Sequence, residues 1–288
     1  MIKNLKCLFA SDLHGNKLKY EKLFTYIEKT RPNALFLGGD LSSPVRNIDK
    51  NTGKDSLFSL LIYNKLQYLK DLLKDKYPDI FIILGNDDSR LLEDEVLNLE
   101  KNGLWTYIHG KHQKWKEYTL FGYSFVPPTP FLFKDWEKYD VSRFTDPGCI
   151  PPEEGIVSTD INIEERELSS IKEDLDTLAA NYSMEKSIFL FHSPPYNTLL
   201  DRGDLEGKFF DHVPLDVHLG SIAIDEFIKK YQPILTLHGH IHESTRLTGS
   251  WKDKIGQTQC FNGAHDGSEL SVITFNPADL GSAERELL

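Results

Sequence analysis

Cysteine is scarce in this chain. Cys7, Cys149 and Cys260 are the three in 288 residues. An odd number without close spacing excludes a disulfide framework and a cysteine-based zinc knuckle. Cys7 falls in an apolar stretch and reads as a small core residue, and none of the three has the surroundings of a nucleophile. Long apolar runs are missing as well. No stretch approaches the roughly 18–20 residues that cross a bilayer. The opening residues Met1 to Ala10 are too short an apolar stretch for a secretion signal, so a cytoplasmic location without a membrane partner is expected. Basic charge is also in short supply. Lys plus Arg number 33 against 44 for Asp plus Glu, a formal net charge of −11. That disfavours a polynucleotide partner, which needs a basic face, although a local basic groove is not excluded. Internal repeats and low-complexity segments are absent. A hydrophobic share of 40% is enough for a substantial core, and nothing argues for a second folding unit. A single domain over residues 1–288 is expected.

Short apolar runs alternate with longer amphipathic ones. Leu5–Ala10 reads as a strand and Lys17–Lys29 as a helix with its stripe at Leu18, Leu23, Phe24 and Ile27. Ala34–Leu37 is a strand, Leu57–Tyr77 a helix capped by Asp55 or Ser56 and ended by Pro78, and Ile80–Leu84 a strand. The alternation predicts βαβ units and a mainly parallel sheet. Tyr107–Val126 is rich in β-formers. Residues 127–163 lack periodicity and contain Pro147, Pro151 and Pro152, which reads as an inserted loop or lid. Glu164–Asn181 is then a helix, Ser187–Phe191 a strand, Ile222–Tyr231 a helix and Ile234–Leu237 a strand. Gln257–Phe261 and Leu270–Phe275 are the last two strands.

The functional signal lies where these runs end. Five apolar strands finish in polar clusters: Ser11-Asp12-Leu13-His14-Gly15, Gly38-Gly39-Asp40, Gly85-Asn86-Asp87-Asp88, His192-Ser193-Pro194-Pro195 and Gly239-His240-Ile241-His242. Ligands of an open α/β sheet collect beyond the carboxyl ends of the strands, so the five clusters should meet at one edge. In extended chain alternate side chains point the same way, so Asp12 with His14, and His240 with His242, should each reach one small volume. Imidazole and carboxylate together suit Mn, Fe, Zn or Co better than Ca or Mg. Each piece alone has an ordinary reading: Asp-x-His as a surface pair, Gly-Asn-Asp as a turn, Gly-Gly-Asp as a loop. Their joint occurrence, each at the end of an apolar run, points to a metal site.

The order Asp-x-His, Gly-Asp, Gly-Asn-x-Asp, His, Gly-His-x-His, running from Asp12 to His242, resembles the signature of the calcineurin-like metallophosphoesterase superfamily. The resemblance implies a four-layer α/β/β/α sandwich with two mixed sheets. It implies two divalent metal ions: Asp12, His14 and His242 would hold one, Asn86, His192 and His240 the other, and Asp40 would bridge them. Two divalent cations outweigh the carboxylates of Asp12 and Asp40, and the surplus positive field lowers the pKa of a bridging water to about 7. The implied reaction is hydrolysis of a small phosphodiester or phosphomonoester, nucleotides included, by a metal-bridging hydroxide. A nuclease and a non-catalytic metal-bound scaffold are the alternatives.

The chain departs from the family in its third block. The usual Gly-Asn-His has Asp87 in place of the histidine that protonates the leaving group, and an ionised Asp between cations cannot do so. Asp87 as part of a hydrogen-bonded turn is the alternative. Asp88 stands where the family has the partner that orients the missing histidine. Arg90 follows, and Ser/Thr protein phosphatases place an arginine on the substrate phosphate. However, the second block continues Leu41-Ser42-Ser43-Pro44 and not Asp-Arg-Gly, which argues against that activity, and Arg90 also reads as an ordinary helix-start residue. His238 is expected in the core or behind the ligands. His265 lies near the position of a family loop that approaches the metals. His109, His112, His212 and His218 lack motif partners and read as surface residues. The aromatic group Phe121, Tyr123, Phe125, Phe131, Phe133, Trp136 and Tyr139 reads as core or lid packing, with base stacking as the alternative.

Overall fold

Side-chain alternation along the central strands divides the protein into layers. A computed structural model describes residues 5–43, 57–180 and 182–288. Its strands are β1 (Cys7–Ala10), β2 (Ala34–Gly38), β3 (Asp79–Ile83), β4 (Thr106–Tyr107), β5 (His112–Trp115), β6 (Tyr118–Tyr123) and β7 (Ser187–Phe191). After them come β8 (Phe209–Phe210), β9 (Val213–Pro214), β10 (Leu235–His238), β11 (Lys252–Ile255), β12 (Thr258–Asn262), β13 (Ser271–Asn276) and β14 (Asp279–Leu287). One six-stranded sheet has the order β14-β13-β1-β2-β3-β4, the other β11-β12-β10-β7-β6-β5, and β8-β9 is a separate hairpin.

Cys7 and Phe9 of β1, Ala34 and Phe36 of β2, and Phe81 and Ile83 of β3 share one apolar cluster with Leu120 of β6, Ile188 and Leu190 of β7, and Leu235 and Leu237 of β10. This is the core between the sheets. The intervening residues, Leu8, Leu35, Ile82, Phe189 and Phe191 among them, pack instead with the apolar stripes of the helices. The helices are α1 (Lys17–Thr30), α2 (Tyr63–Leu73), α3 (Glu93–Lys101), α4 (Ile163–Leu168), α5 (Ile171–Ala179), α6 (Ile222–Tyr231) and the single-turn α7 (Ser244–Thr248), of which α4 and α7 contribute no residue to that cluster. Strands buried on both faces read as continuous apolar runs, which explains the sequence Cys-Leu-Phe-Ala of β1. The result is the α/β sandwich with two mixed sheets implied by the family resemblance.

Several expectations need correcting. The expected parallel pairing holds for β1-β2-β3-β4 and for β12-β10-β7-β6, but these strands belong to two sheets with antiparallel edges. β1 pairs with β13, β13 with β14, β11 with β12 and β5 with β6 in antiparallel fashion. The stretch expected as one helix over Leu57–Tyr77 is a π-wound turn, Leu57–Ile62, then α2, then a 3-10 turn at Lys74–Lys76. Its expected caps Asp55 and Ser56 lie outside the described residues, as does Asn181. The helix expected over Glu164–Asn181 is two helices, because Ser169 turns extended and the Ser170 hydroxyl caps α5 by accepting from the backbone N–H of Glu173. Helix α3 and the edge strands β11 and β14 were not anticipated. Strand β14 is exposed along most of its length and carries Glu284, Arg285 and Glu286 in a row, as suits a charged edge, with Ala283 buried.

The 127–163 segment contains a 3-10 turn, Pro152–Glu154, and no longer helix or strand, but it is tied down by polar contacts. Lys134 and Glu137 form an ion pair that is fully buried, with Nζ to Oε2 at 2.5 Å, and Thr129 donates to the same carboxylate. Asp140 accepts from Ser221 Oγ and from the backbone N–H groups of Ile222 and Ala223, so the insertion also caps the start of α6.

Candidate metal centre

β1, β2 and β3 run parallel in one sheet, and β7 and β10 run parallel in the other. All five therefore end at the same rim of the sandwich, and the polar cluster after each strand enters the space between them. The backbone there is sharply bent. Asp12, His14, Asp40 and His240 all have positive φ, at 58°, 46°, 52° and 70°. Side chains in this left-handed region cost free energy and persist where the surroundings hold them, commonly at functional sites. The i, i+2 spacing of Asp12 and His14 thus works through a left-handed turn, and the extended geometry expected from sequence is not what brings them together. Gly85 is required here, because a Cβ at that position would collide with Asp40 Oδ1.

Asp12, His14, Asp40 and His242 each offer one ligating atom, and these four atoms lie within 4.8 Å of one another. His242 Nε2 is 3.1 Å from Asp12 Oδ1 and 3.1 Å from His14 Nε2. Two imidazole nitrogens and two carboxylates converging on one volume are a donor set suited to a first-row transition ion. Burial would raise the Asp12 carboxyl, but the hydrogen bond and charge of His242, with His192 and His14, hold it well below the usual carboxylate range. Burial would lower His242, yet Asp12 and Asp40 bring it up to about 9.

A second group adjoins the first. His192 is fully buried, and its Nδ1–H donates to the carbonyl of Gly38 at 2.8 Å. This leaves Nε2 facing Asn86 Oδ1 at 3.0 Å and Asp40 Oδ2 at 3.3 Å. A backbone carbonyl behind the ring is the arrangement that fixes a ligand histidine's tautomer. Burial opposes charge on His192, but Asp40, Asp12 and the Gly38 carbonyl raise it to about 10. The His240 ring lies 5.3 Å from that of His192, and its backbone N–H donates to Asp12. Burial and the His192 charge lower the His240 imidazole to about 3, which keeps it neutral and able to act as a ligand. Asp40 stands between the groups, since the same Oδ2 lies 3.9 Å from His14 Nε2. His240 and His242 both contact Asp12, through backbone and side chain respectively, with the His240 ring beside His192 and His242 beside His14.

Asp87 is exposed on the rim, its carboxylate 3.4 Å from His14 Nδ1, and its backbone N–H donates to Asp40 Oδ1. The charge of Asp40, then partial burial, raises the Asp87 carboxyl to about 6. The ionised Asp87 expected from sequence depends on bound cations, whose charge would reverse that sign. Asp88 is fully buried, and its carboxylate accepts from the backbone N–H groups of Leu41, Ser42 and Gly85. It ties the loop after β2 to the loop after β3. Arg90 Nε donates to the carbonyl of Asp135, and its guanidinium lies over the rings of Phe125 and Trp136.

His238 is buried in the core, with Nδ1 on the Ser193 carbonyl, Nε2 on Thr236 Oγ1, and its ring stacked on Phe191. His265 Nε2 lies 3.3 Å from Glu269 Oε2. His112 and His212 are exposed, and His218 donates from Nδ1 to the buried Asp201. His109 is a correction: it is half-buried, ringed by Tyr107, Tyr123, Phe125 and Trp136, and its Nδ1 accepts from the backbone N–H of Ser124. Its i, i+2 relation to Tyr107 was the signal that placed it on the aromatic side. Of the aromatic group, Phe121, Tyr123, Phe125, Trp136 and Tyr139 are buried, Phe133 is half-buried and Phe131 is exposed.

Comparison with known proteins agrees with the fold. Protein MJ1162 of Methanocaldococcus jannaschii is 26% identical over 265 residues, covering 91% of this chain and 89% of that protein. The crystal structure of TT1561 of Thermus thermophilus superimposes with a TM-score of 0.56 at 15% identity, covering 99% of both chains. The family model for calcineurin-like phosphoesterases matches residues 5–244. With that match spanning every one of the five strand-end clusters, the chain belongs to the calcineurin-like phosphoesterase family.

Proposed function

We propose that this chain is a hydrolase of small phosphate esters, diesters or monoesters, nucleotides included, that works with two divalent metal ions of the Mn, Fe, Zn or Co type. The carrying observation is Asp40, whose Oδ2 lies within 3.3 Å of His192 Nε2 and 3.9 Å of His14 Nε2. One carboxylate shared by two imidazole groups is the arrangement expected of a bridging ligand. Asp12, His14 and His242 would hold one ion, and Asn86, His192 and His240 the other. When bound, the ions supply Lewis-acid charge for the phosphoryl oxygens and lower the pKa of a water.

The chain's own groups prepare this site. The Gly38 carbonyl holds the His192 proton at Nδ1 and so presents Nε2 to the cluster. Asp12 accepts from the His240 backbone N–H, which fixes the loop that carries both His240 and His242. Asp88 holds the loops bearing Asp40 and Asn86 together through three backbone hydrogen bonds. Asp87, exposed beside His14, is the group nearest an incoming ester that could handle a proton. In the ionised form it has none to give, so leaving groups of low pKa, or diesters carrying a single charge, should be preferred over alkyl monoesters.

The test is metal-dependent turnover of bis(p-nitrophenyl) phosphate and p-nitrophenyl phosphate with each of Mn, Fe, Zn and Co, beside metal analysis of the purified protein. Turnover lost in Asp40→Asn supports the hydrolase. A wild-type protein that binds metal but hydrolyses no ester with any of them would make it a scaffold.

A further inference from the structure

A cleft of about 380 Å³ opens among the start of α3, the end of β6, the 127–163 insertion and helices α4 and α5. Arg90, His109, Phe125, Trp136, Lys138 and Asp174 are in its walls, and none of the seven candidate metal ligands is. The volume falls within the range of small-molecule sites. The walls carry two cations, Arg90 and Lys138, against three carboxylates, Glu93, Glu165 and Asp174. Lys138 Nζ binds Asp174 Oδ2 at 2.8 Å and lies 3.9 Å from Glu165, Tyr123 donates to Asp174, and Tyr107 donates to Glu93.

Arg90 is different. Its Nε is taken by the main-chain carbonyl of Asp135, and its Cζ lies 5.1 Å and 4.9 Å from the ring centres of Phe125 and Trp136. Among the described residues no carboxylate lies within 4.0 Å of the guanidinium, and its terminal Nη groups have no hydrogen-bond partner. Stacking on two rings holds a planar, permanently charged fork in one orientation, which favours paired hydrogen bonds to a carboxylate or phosphate. The indole N–H of Trp136, on one of those two rings, is also buried without an acceptor.

We propose that this cleft is a second ligand site, separate from the metal centre, for a small organic anion with a flat apolar body. Arg90 takes the acid group through its terminal N–H pair, and Phe125, Trp136 and His109 line the space for the body. Lys138 is occupied by Glu165 and Asp174, so among the cations of the walls it is Arg90 that has N–H groups to offer, with the Glu93 carboxylate, held by Tyr107, on the same side of the cleft. The insertion supplies Trp136, Lys138 and the Asp135 carbonyl that fixes Arg90, which gives that segment a role the metal chemistry does not.

Calorimetric titration of the metal-loaded protein with phenylphosphonate, benzoate and neutral benzamide tests the assignment. At least one anion should bind, benzamide should not, and the preferred anion tells a phosphoryl from a carboxylate head group. Arg90→Gln should weaken anion binding at least about ten-fold, and Arg90→Lys, which keeps charge but loses the fork, should fall between. Should Arg90→Gln fail to fold, the Lys variant carries the comparison. Asp40→Asn should leave the affinity within about two-fold, because Asn also tolerates the positive φ at that position. The site is refuted by absence of anion binding, by equal binding of benzamide, by unchanged affinity in both Arg90 variants, or by loss of binding in Asp40→Asn, which would put the anion on the metals.

Discussion

Asp88 Oδ1 accepts the backbone N–H of Ser42 at 2.6 Å, across the gap between the loops that follow β2 and β3. The same carboxylate accepts from Leu41 and Gly85. Three backbone donors on one buried acid set the distance between Asp40 and Asn86. In Asp88→Asn an amide NH₂ must face at least one of those donors. The substitution should lower stability by about 2–4 kcal/mol, from lost charge-assisted bonds and a buried unmet donor. Urea unfolding of wild type and variant measures it, and equal midpoints would mean that the clamp is not a stabilising contact.

The division of ligands into two groups predicts a stoichiometry. Wild type should hold close to two ions per chain, and His242→Ala should keep the His192 group while losing the other ion. Metal analysis after dialysis against trace Mn reads this directly. A variant still holding two would show that His242 is not a ligand.

Removal of metal should also be felt in the fold. Any ligand that binds the native state alone stabilises it by about 2.7 kcal/mol at a hundred times its Kd. Thermal unfolding after treatment with a chelator should therefore begin at a lower temperature, and Mn or Zn should restore it in wild type but much less in Asp40→Asn. An unchanged Tm on chelation would mean that the cluster holds no ion of consequence to the fold.

The proposal that Asp87 limits the choice of leaving group predicts a substrate switch. Replacement by His should raise turnover of alkyl monoesters relative to aryl diesters by roughly 100-fold, the lower end of what a positioned proton donor contributes. The ratio of the two rates is the readout, since a structural disturbance would depress both together. No change in that ratio would leave Asp87 as a turn residue and nothing more.

His109 predicts an acid-side loss of stability. Burial first, then the charges of Arg90, Lys138 and Lys111, lower its pKa to about 3 from an ordinary 6.5. A folded-state pKa below the unfolded value means that the unfolded chain binds more protons between the two. Stability is therefore complete above about pH 6.5 and falls as pH drops towards 3, by at most about 1.4 kcal/mol per pH unit from this group. His109→Asn, which keeps an acceptor for the Ser124 N–H, should show a shallower decline than wild type between pH 7 and 5. Parallel curves would place the His109 titration elsewhere.

What the linear order of residues determined by itself is the inventory: which strands are apolar on both faces, which residue types end them, and in what sequence. Ser187–Phe191 and Ile222–Tyr231 lie at the residues expected, because their patterns are strong and their ends are marked by His192 and by a Ser221 cap. The candidate cluster was legible for the same reason, since strand ends are local features. The tertiary structure decided how those ends meet. Asp12 and His14 converge through positive φ, which an alternation argument cannot contain. The packing of the His240 ring beside His192 and of His242 beside His14 joins residues far apart in the chain, which alternation along one strand end does not specify. Edge strands β11 and β14 were invisible because a half-exposed strand takes its stability from its neighbour. Arg90 shows the limit most plainly: its place over Phe125 and Trp136 depends on an aperiodic insertion whose fold is set by long-range polar contacts, and no local pattern encodes those.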